Sequence, residues 1–271
     1  MTTQSPLSSL PEPLLSWYRE NARNLPWRRT VDPYRIWVSE IMLQQTRVAA
    51  ALGYYARFLE ALPTVEALAA VPEDRLMKLW EGLGYYSRAR NLQKAARLVV
   101  ERGGFPDTYQ GLLALPGIGE YTAGAVASAA FGLREAAVDG NVLRVVARIT
   151  DCHDDVKDQK TKKSVQRQIR AVMPAAEGDI RIFNQAVMEL GATVCVPNGP
   201  PKCAGCPARD FCLGRLRGTA ELLPVRPAKK ARRVEEKTVF LLFRDGRIAL
   251  RRRPDTGLLA GLWEFPNVEG T

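Results

Sequence analysis

The chain has 271 residues, of which 46% are hydrophobic and 25% charged, enough for one large or two ordinary globular domains. Lys and Arg outnumber Asp and Glu by 39 to 29, a net charge of +10 with a pI near 9.6, and that balance favours a polyanionic partner. No run of 18 apolar residues and no basic-then-apolar leader occurs, so neither a membrane span nor export is expected and a cytoplasmic location is.

Residues 11–24 carry Leu14, Leu15, Trp17 and Tyr18 at helical spacing. Leu25-Pro26-Trp27-Arg28-Arg29 follows as a loop with one aromatic among basic residues, suited to a sugar-phosphate backbone and equally to a solvated turn. A helix is expected over 34–48. On it Glu40 falls between Ile36, Trp37 and Leu43, so a carboxyl sits on an apolar face where desolvation would raise its pKa. An edge glutamate reaching water is the plainer alternative. Gln44 and Gln45 follow as residues able to read base edges or to cap a turn. Helices continue through 49–102, with starts at Pro63-Thr64-Val65-Glu66 and Pro72-Glu73-Asp74. They are broken at Gly82-Leu83-Gly84-Tyr85-Tyr86-Ser87-Arg88-Ala89-Arg90, a mixture suited to close backbone approach and base stacking, or to a helix end followed by core tyrosines.

The chain turns on the stretch from Leu115 to Val142. Leu115-Pro116-Gly117-Ile118-Gly119 reads as a tight hairpin in which Gly117 and Gly119 can take positive φ, leaving backbone N–H groups free for a phosphate. Tyr121 to Ala130 is a small-residue helix that another element can approach closely. Asp139 precedes the helical run Asn141–Arg148, and the dipole there is expected to favour its anionic form. A polar, basic helix at 159–173 and an apolar one at 180–194 come next, with the only histidine, His153, in a surface loop.

Four of the five cysteines lie within eighteen residues, as Cys195-x7-Cys203-x2-Cys206-x5-Cys212. In a reduced compartment this clustering indicates one soft metal centre, and by spacing alone either zinc or an iron–sulfur cluster would serve. A basic, proline-broken linker follows, and then the hydrophobic period changes. Thr238–Phe243, Asp245-Gly246 and Ile248–Leu250 form a hairpin pattern, and a loop runs from Gly257 to Pro266.

Taken together, Leu25–Arg28, Trp37–Thr46, Gly82–Arg90, Leu115–Ala125, Val138–Val142, Phe183–Ala192, the four cysteines and Gly257–Pro266 resemble the adenine DNA glycosylases of the bacterial MutY type, within the helix-hairpin-helix DNA glycosylase superfamily. The resemblance spans most of residues 25–267, with one residue more between the first two cysteines than the family usually has. It implies a mainly α fold of two helical subdomains with a helix-hairpin-helix motif and a cluster loop, plus the β start of a nudix-like domain. The implied boundaries are 1–219 for the catalytic domain, 220–237 for the linker and 238–271 for the start of an 8-oxoguanine reader, with the chain ending inside it.

The implied activity is monofunctional removal of adenine mispaired with 8-oxoguanine or guanine in double-stranded DNA, by a monomer associated with the nucleoid. The implied catalytic set is Glu40 as proton donor and Asp139 as the anion beside the sugar cation, assisted by Tyr121 and Asn141. Gln45 and Tyr85 would wedge beside the flipped nucleotide, Arg28 would line the adenine pocket, and Gly117 and Gly119 would grip backbone. Cys195, Cys203, Cys206 and Cys212 would hold a 4Fe–4S cluster. Two alternatives remain at this level: an endonuclease III-like pyrimidine glycosylase and lyase, whose lysine position holds Tyr121 here, and a non-catalytic iron–sulfur DNA-binding module. No lysine occurs between Lys94 and Lys157, and both Glu40 and Asp139 are present, which weighs against each in turn.

Overall fold

A computed structural model describes residues 5–227, 234–254, 256–259 and 261–270. The centre of the expected linker, residues 228–233, and the last residue, Thr271, lie outside the described residues. The chain divides into two compact units, residues up to 227 and residues from 228 on.

The first unit is helical. Its helices are α1 (Pro11–Asn21), α2 (Pro33–Leu43), α3 (Val48–Ala61), α4 (Val65–Ala70), α5 (Glu73–Trp80), α6 (Ser87–Glu101) and α7 (Tyr109–Leu113), then α8 (Glu120–Phe131), α9 (Gly140–Thr150), α10 (Gln159–Val172), α11 (Glu177–Thr193) and α12 (Leu213–Leu216). Local chemistry sets many of the starts. Asp32 accepts the Tyr34 N–H at 2.8 Å with Pro33 at the first helical position, and Thr64, Thr108, Asp139 and Asp158 cap α4, α7, α9 and α10 with their side chains.

Two cores form inside this unit. One gathers apolar residues of α2–α8, among them Trp37, Phe58, Trp80 and Leu112. The other joins the N-terminal Leu7, Leu10, Leu14 and Tyr18 to α9, α10 and α11, so the start of the chain closes the second subdomain and not the first. Helix α8 packs on α2 and α7 on one side and on α11 on the other, and bridges the two cores.

Close approach explains the small residues of α8. A Cβ at Gly124 would overlap the Ala136 carbonyl oxygen, so the extended stretch 133–138 lies directly on the helix. Asn184 of α11 fixes that stretch: its Nδ2 donates to Ser128 Oγ and to Glu135 O, both at 2.8 Å, and its Oδ1 accepts from Ala137 N at 3.1 Å. Asp139 is thereby held from both neighbouring helices.

The second unit is built from short antiparallel pairs. β1 (Lys237–Val239) pairs with β6 (Asn267–Glu269), β2 (Phe243–Arg244) with β3 (Arg247–Ile248), and β4 (Arg251–Arg252) with β5 (Trp263–Glu264). The hairpin expected at Asp245-Gly246 is present, with both residues at positive φ as a tight two-residue turn requires. The single strand expected over Thr238–Phe243 is instead split between β1 and β2, which pair with different partners. No helix among the described residues is long and apolar enough to cross a membrane.

Candidate active site

A pocket of about 310 Å³ opens between the two cores, within the usual size of a small-ligand site. Glu40 and Ser39 reach it from α2, Tyr121 from α8, Asp139 and Asn141 from the start of α9, and Gln185, Met188, Glu189 and Ala192 from one face of α11. Arg23, Trp27 and Arg28 enter from the loop after α1. The structure thus brings Glu40, Tyr121, Asp139, Asn141 and Arg28 to one place.

Glu40 sits where the apolar face of α2 meets this pocket, above the buried Ile36 and Trp37. Burial pushes its carboxyl up to about 7, the Tyr121 hydroxyl and Arg28 oppose that, and Asp139 adds to it. Its Oε2 is buried and has no hydrogen-bond partner in the protein. A carboxyl in this state carries a proton near neutrality with one oxygen free to deliver it. The Tyr121 hydroxyl lies beside the Glu40 carboxyl and 3.4 Å from Met188 Sδ, two acceptors that compete for its one proton, and burial with Glu40 and Asp139 beside it keeps it protonated.

Asp139 caps α9. Its Oδ1 accepts the N–H groups of Asn141 and Val142 at 2.9 and 2.8 Å, and its Oδ2 accepts Asn141 Nδ2 at 2.6 Å. The sequence leads one to expect a net preference for the anion from the helix terminus. The net shift runs the other way: burial raises this pKa and the three hydrogen bonds oppose the rise without cancelling it. The two carboxyls differ in their surroundings: three hydrogen bonds occupy the Asp139 oxygens, while Glu40 Oε2 has no partner in the protein.

Asn141 is held in turn. Arg144, buried on α9, donates from Nη2 to Asn141 Oδ1 at 2.8 Å and to Gly191 O at 2.7 Å, and from Nε to Cys195 O at 2.7 Å. A Cβ at Gly191 would come within 2.6 Å of Asn141 Cβ, which is why α11 can lie so close.

Sequence reasoning missed Glu189, Arg23 and Gln185. Glu189 is fully buried and accepts from Arg23 Nε and Nη2 at 2.7 and 2.6 Å, from the Arg23 N–H at 3.0 Å and from Arg28 Nη2 at 2.7 Å. Burial pushes its carboxyl up, but the bonds from Arg23 and Arg28 outweigh it and hold it at about 2. The i, i+3, i+4, i+7 spacing of Gln185, Met188, Glu189 and Ala192 was a readable signal. The ion pair across more than 160 positions of chain was not.

Four expected residues lie outside the pocket. Gln45 and Tyr85 are exposed and both have positive φ, 59° and 48°. The helix expected to run to residue 48 stops at Leu43, and Gln45 stands in the turn before α3. Gly117 takes the left-handed conformation, φ 77°, and a Cβ there would press on Asn91. Gly119 does not: it is extended, at φ −95°, and caps α8 with open space around it, so its backbone makes no demand for glycine.

The four clustered cysteines line one small cavity walled by Val145, Ile149, Leu190 and Val194. Arg148 Nη1 lies 3.4 Å from Cys195 Sγ, and burial raises the Cys206 and Cys212 thiols, Cys206 to about 12. Among the described residues no three His, Cys, Asp or Glu side chains converge on a single-ion position.

A helical pair of cores with an acid pocket between them and a glycine hairpin beside it defines a class. The chain belongs to the HhH-GPD superfamily of base excision DNA repair proteins, whose family model matches residues 38–174, and within it to the family of the adenine DNA glycosylases. It is 38% identical to the adenine DNA glycosylase of Homo sapiens over 94% of this chain and 56% of that one. It is 35% identical to that of Buchnera aphidicola subsp. Baizongia pistaciae, over 93% of this chain and 72% of that one. The chain therefore spans little more than half the length of the mammalian relatives. Among solved structures, a thermostable thymine-DNA glycosylase matches with a TM-score of 0.69 at 29% identity, covering 78% of this chain and 97% of that one. An endonuclease III–DNA complex shares the fold, with a TM-score of 0.62 at 24% identity over 76% of this chain and 94% of that one.

Proposed function

We propose that this chain is a monofunctional glycosylase that hydrolyses the N-glycosidic bond of adenine mispaired with 8-oxoguanine or guanine in duplex DNA. The observation that carries the reading is Glu40, a desolvated carboxyl raised to about 7 with a free oxygen, facing a capped Asp139 across one pocket. The reacting base must leave the stack to enter such a pocket. Glu40 then gives its proton to a ring nitrogen of the adenine, the glycosidic bond breaks with its electrons going to the base, and Asp139 faces the positive charge that develops on the sugar. Water adds to the sugar carbon and its proton returns to the Glu40 carboxylate. Glu189, itself buried and engaged by Arg23 and Arg28, fixes Arg28 at the pocket wall, where the remaining N–H groups of the guanidinium can donate to an acceptor on a purine edge. No lysine is among the residues lining the pocket, so no amine stands ready to attack the sugar carbon, and this favours hydrolysis over a lyase.

The thiols of Cys195, Cys203, Cys206 and Cys212 fit a 4Fe–4S cluster: an all-sulfur donor set shares one apolar-walled cavity, with a guanidinium beside the first sulfur. Bound there, the cluster would cross-link the loop 195–212 to itself, beside α9, whose Arg144 and Arg148 hold the loop's backbone. The net charge of +10 and the Gly117 hairpin support duplex DNA as the partner. The test is single-turnover release of adenine from duplexes holding A opposite 8-oxoguanine, guanine or thymine. Release in the order 8-oxoguanine, guanine, thymine is expected. Release of a pyrimidine instead, or strand cleavage by the native chain, would overturn the reading.

A further inference from the structure

Gln45 and Tyr85 share an uncommon backbone state. Left-handed φ values at non-glycine residues persist only where the surroundings over-determine them. One side chain outside the pocket supplies that constraint for both. Arg88, at the start of α6, donates from Nη1 to Ile41 O, Met42 O and Gln44 O at 2.9, 3.3 and 2.6 Å. From Nη2 it donates to Leu83 O and Gly84 O at 2.9 and 3.2 Å. The carbonyls immediately before Gln45 and Tyr85 therefore meet on one guanidinium. The same group satisfies two of the orphan acceptors at the C-terminus of α2, Ile41 O and Met42 O, on the helix that carries Glu40.

The Gly82–Tyr85 loop is pinned from other sides as well. Trp80 Nε1 donates to Gly84 O at 3.1 Å, the Arg88 guanidinium stacks 5.4 Å from the Trp80 ring and 5.6 Å from the Tyr85 ring, and a Cβ at Gly82 would overlap the Tyr54 hydroxyl. Above this rigid backbone the Tyr85 side chain stays 62% exposed and Gln45 is exposed beside α3. An exposed ring and an exposed amide on fixed backbone are groups that can enter a base stack with little left to order. Arg88 itself is not placed to touch phosphate: both terminal nitrogens are engaged and its Nε is buried.

We propose that Arg88 is a positioning residue that holds Gln45 and Tyr85 together as one wedge, so that opening of a paired nucleotide depends on Arg88 while the chemistry in the pocket does not. This rests on the glycosylase reading above. The planar fork matters as well as the charge, since an ammonium has three donors on a flexible stem and cannot span five carbonyls on two segments.

The experiment compares two duplexes at saturating enzyme under single turnover: adenine opposite guanine, where a pair must be opened, and adenine opposite an abasic analogue, where none exists. Arg88→Met should slow the first at least tenfold and the second less than threefold. Arg88→Lys should behave the same way. Gln45→Ala should show the same selective loss, and adding an Arg88 change to it should cost no more than a further twofold. A second readout needs no excision: in a Glu40→Gln background, 2-aminopurine at the target position should brighten on binding, and the Arg88 changes should remove most of that signal. Equal slowing on both duplexes, rescue by Lys, additive losses with Gln45→Ala, or an unchanged 2-aminopurine signal would each overturn the proposal. If Arg88→Met does not fold, Arg88→Lys carries every arm. If the native chain excises adenine from neither duplex, the glycosylase reading fails, and the 2-aminopurine signal still decides the role of Arg88.

Discussion

Glu40 stores its proton at the expense of stability, and the sign can be worked out. Its carboxyl is raised from 4.5 to about 7 in the folded state. Between those values the folded chain binds more protons than the unfolded one, so stability falls as pH rises through that window and stays low above it. The loss amounts to roughly 3 kcal/mol. Gln in its place cannot ionise, so Glu40→Gln should melt several degrees higher than the native chain at pH 8 and no higher at pH 4.5. Thermal melts at the two pH values check this; equal melting temperatures at pH 8 would mean that the carboxyl is not desolvated as described. Tyr121 makes a second point at this scale. It lines the pocket between Glu40 and Asp139, where an amine would face the sugar carbon. Tyr121→Lys should therefore gain strand cleavage, with its amine bonding to that carbon after the base has left, and borohydride should reduce the resulting imine to a stable protein–DNA adduct. A trapping gel reads it, and a band of equal strength from the native chain would contradict the assignment.

Elements place these groups by close approach. The backbone of 133–138 rests on Gly124, so Gly124→Ala must push either α8 or the segment leading into Asp139. It should destabilise by about 1–3 kcal/mol and slow excision more than a surface Gly→Ala elsewhere, for instance Gly178→Ala, which meets open space. Denaturant unfolding and single-turnover rates on both variants check this. Much of this element was legible: the small-residue run of α8 marked a close contact, and Asp139 before an apolar-periodic run marked a cap. Other features were hidden for physical reasons. The end of α2 at Leu43 is set by Arg88, which arrives from more than forty residues away, and no local residue pattern announces it. Glu189 lies on an apolar helix, and only the fold brings Arg23 and Arg28 to it. The raised pKa of Asp139 reflects burial, which a helix-terminus argument from sequence leaves out.

At the scale of the whole molecule, the pocket exists because the chain builds two cores and returns its N-terminus to the second. Glu40 is carried by α2, which packs into the first core, while Asp139 and Glu189 are carried by α9 and α11, which pack into the second, so the acid and the anion face each other only if both cores keep their places. The cysteine loop is tied to the second core through Arg144 and Arg148. Purified protein should accordingly contain iron well in excess of zinc with broad visible absorption. Cys203→Ser should lose that absorption and weaken DNA binding, read by metal analysis and a binding titration; stoichiometric zinc without iron would contradict the cluster assignment. The central claim is that a protonated Glu40 drives loss of the base, and the pH dependence of single-turnover adenine excision from an A:8-oxoguanine duplex tests it most directly. The native chain should show a rate that falls tenfold per unit above about pH 7, as the Glu40 carboxyl loses its proton, and falls again in acid as Asp139 gains one, and Glu40→Gln should bind the duplex normally with excision down by about 10²–10⁴. A rate that holds or climbs above pH 8, or a Glu40→Gln chain within a few-fold of the native one, would contradict it.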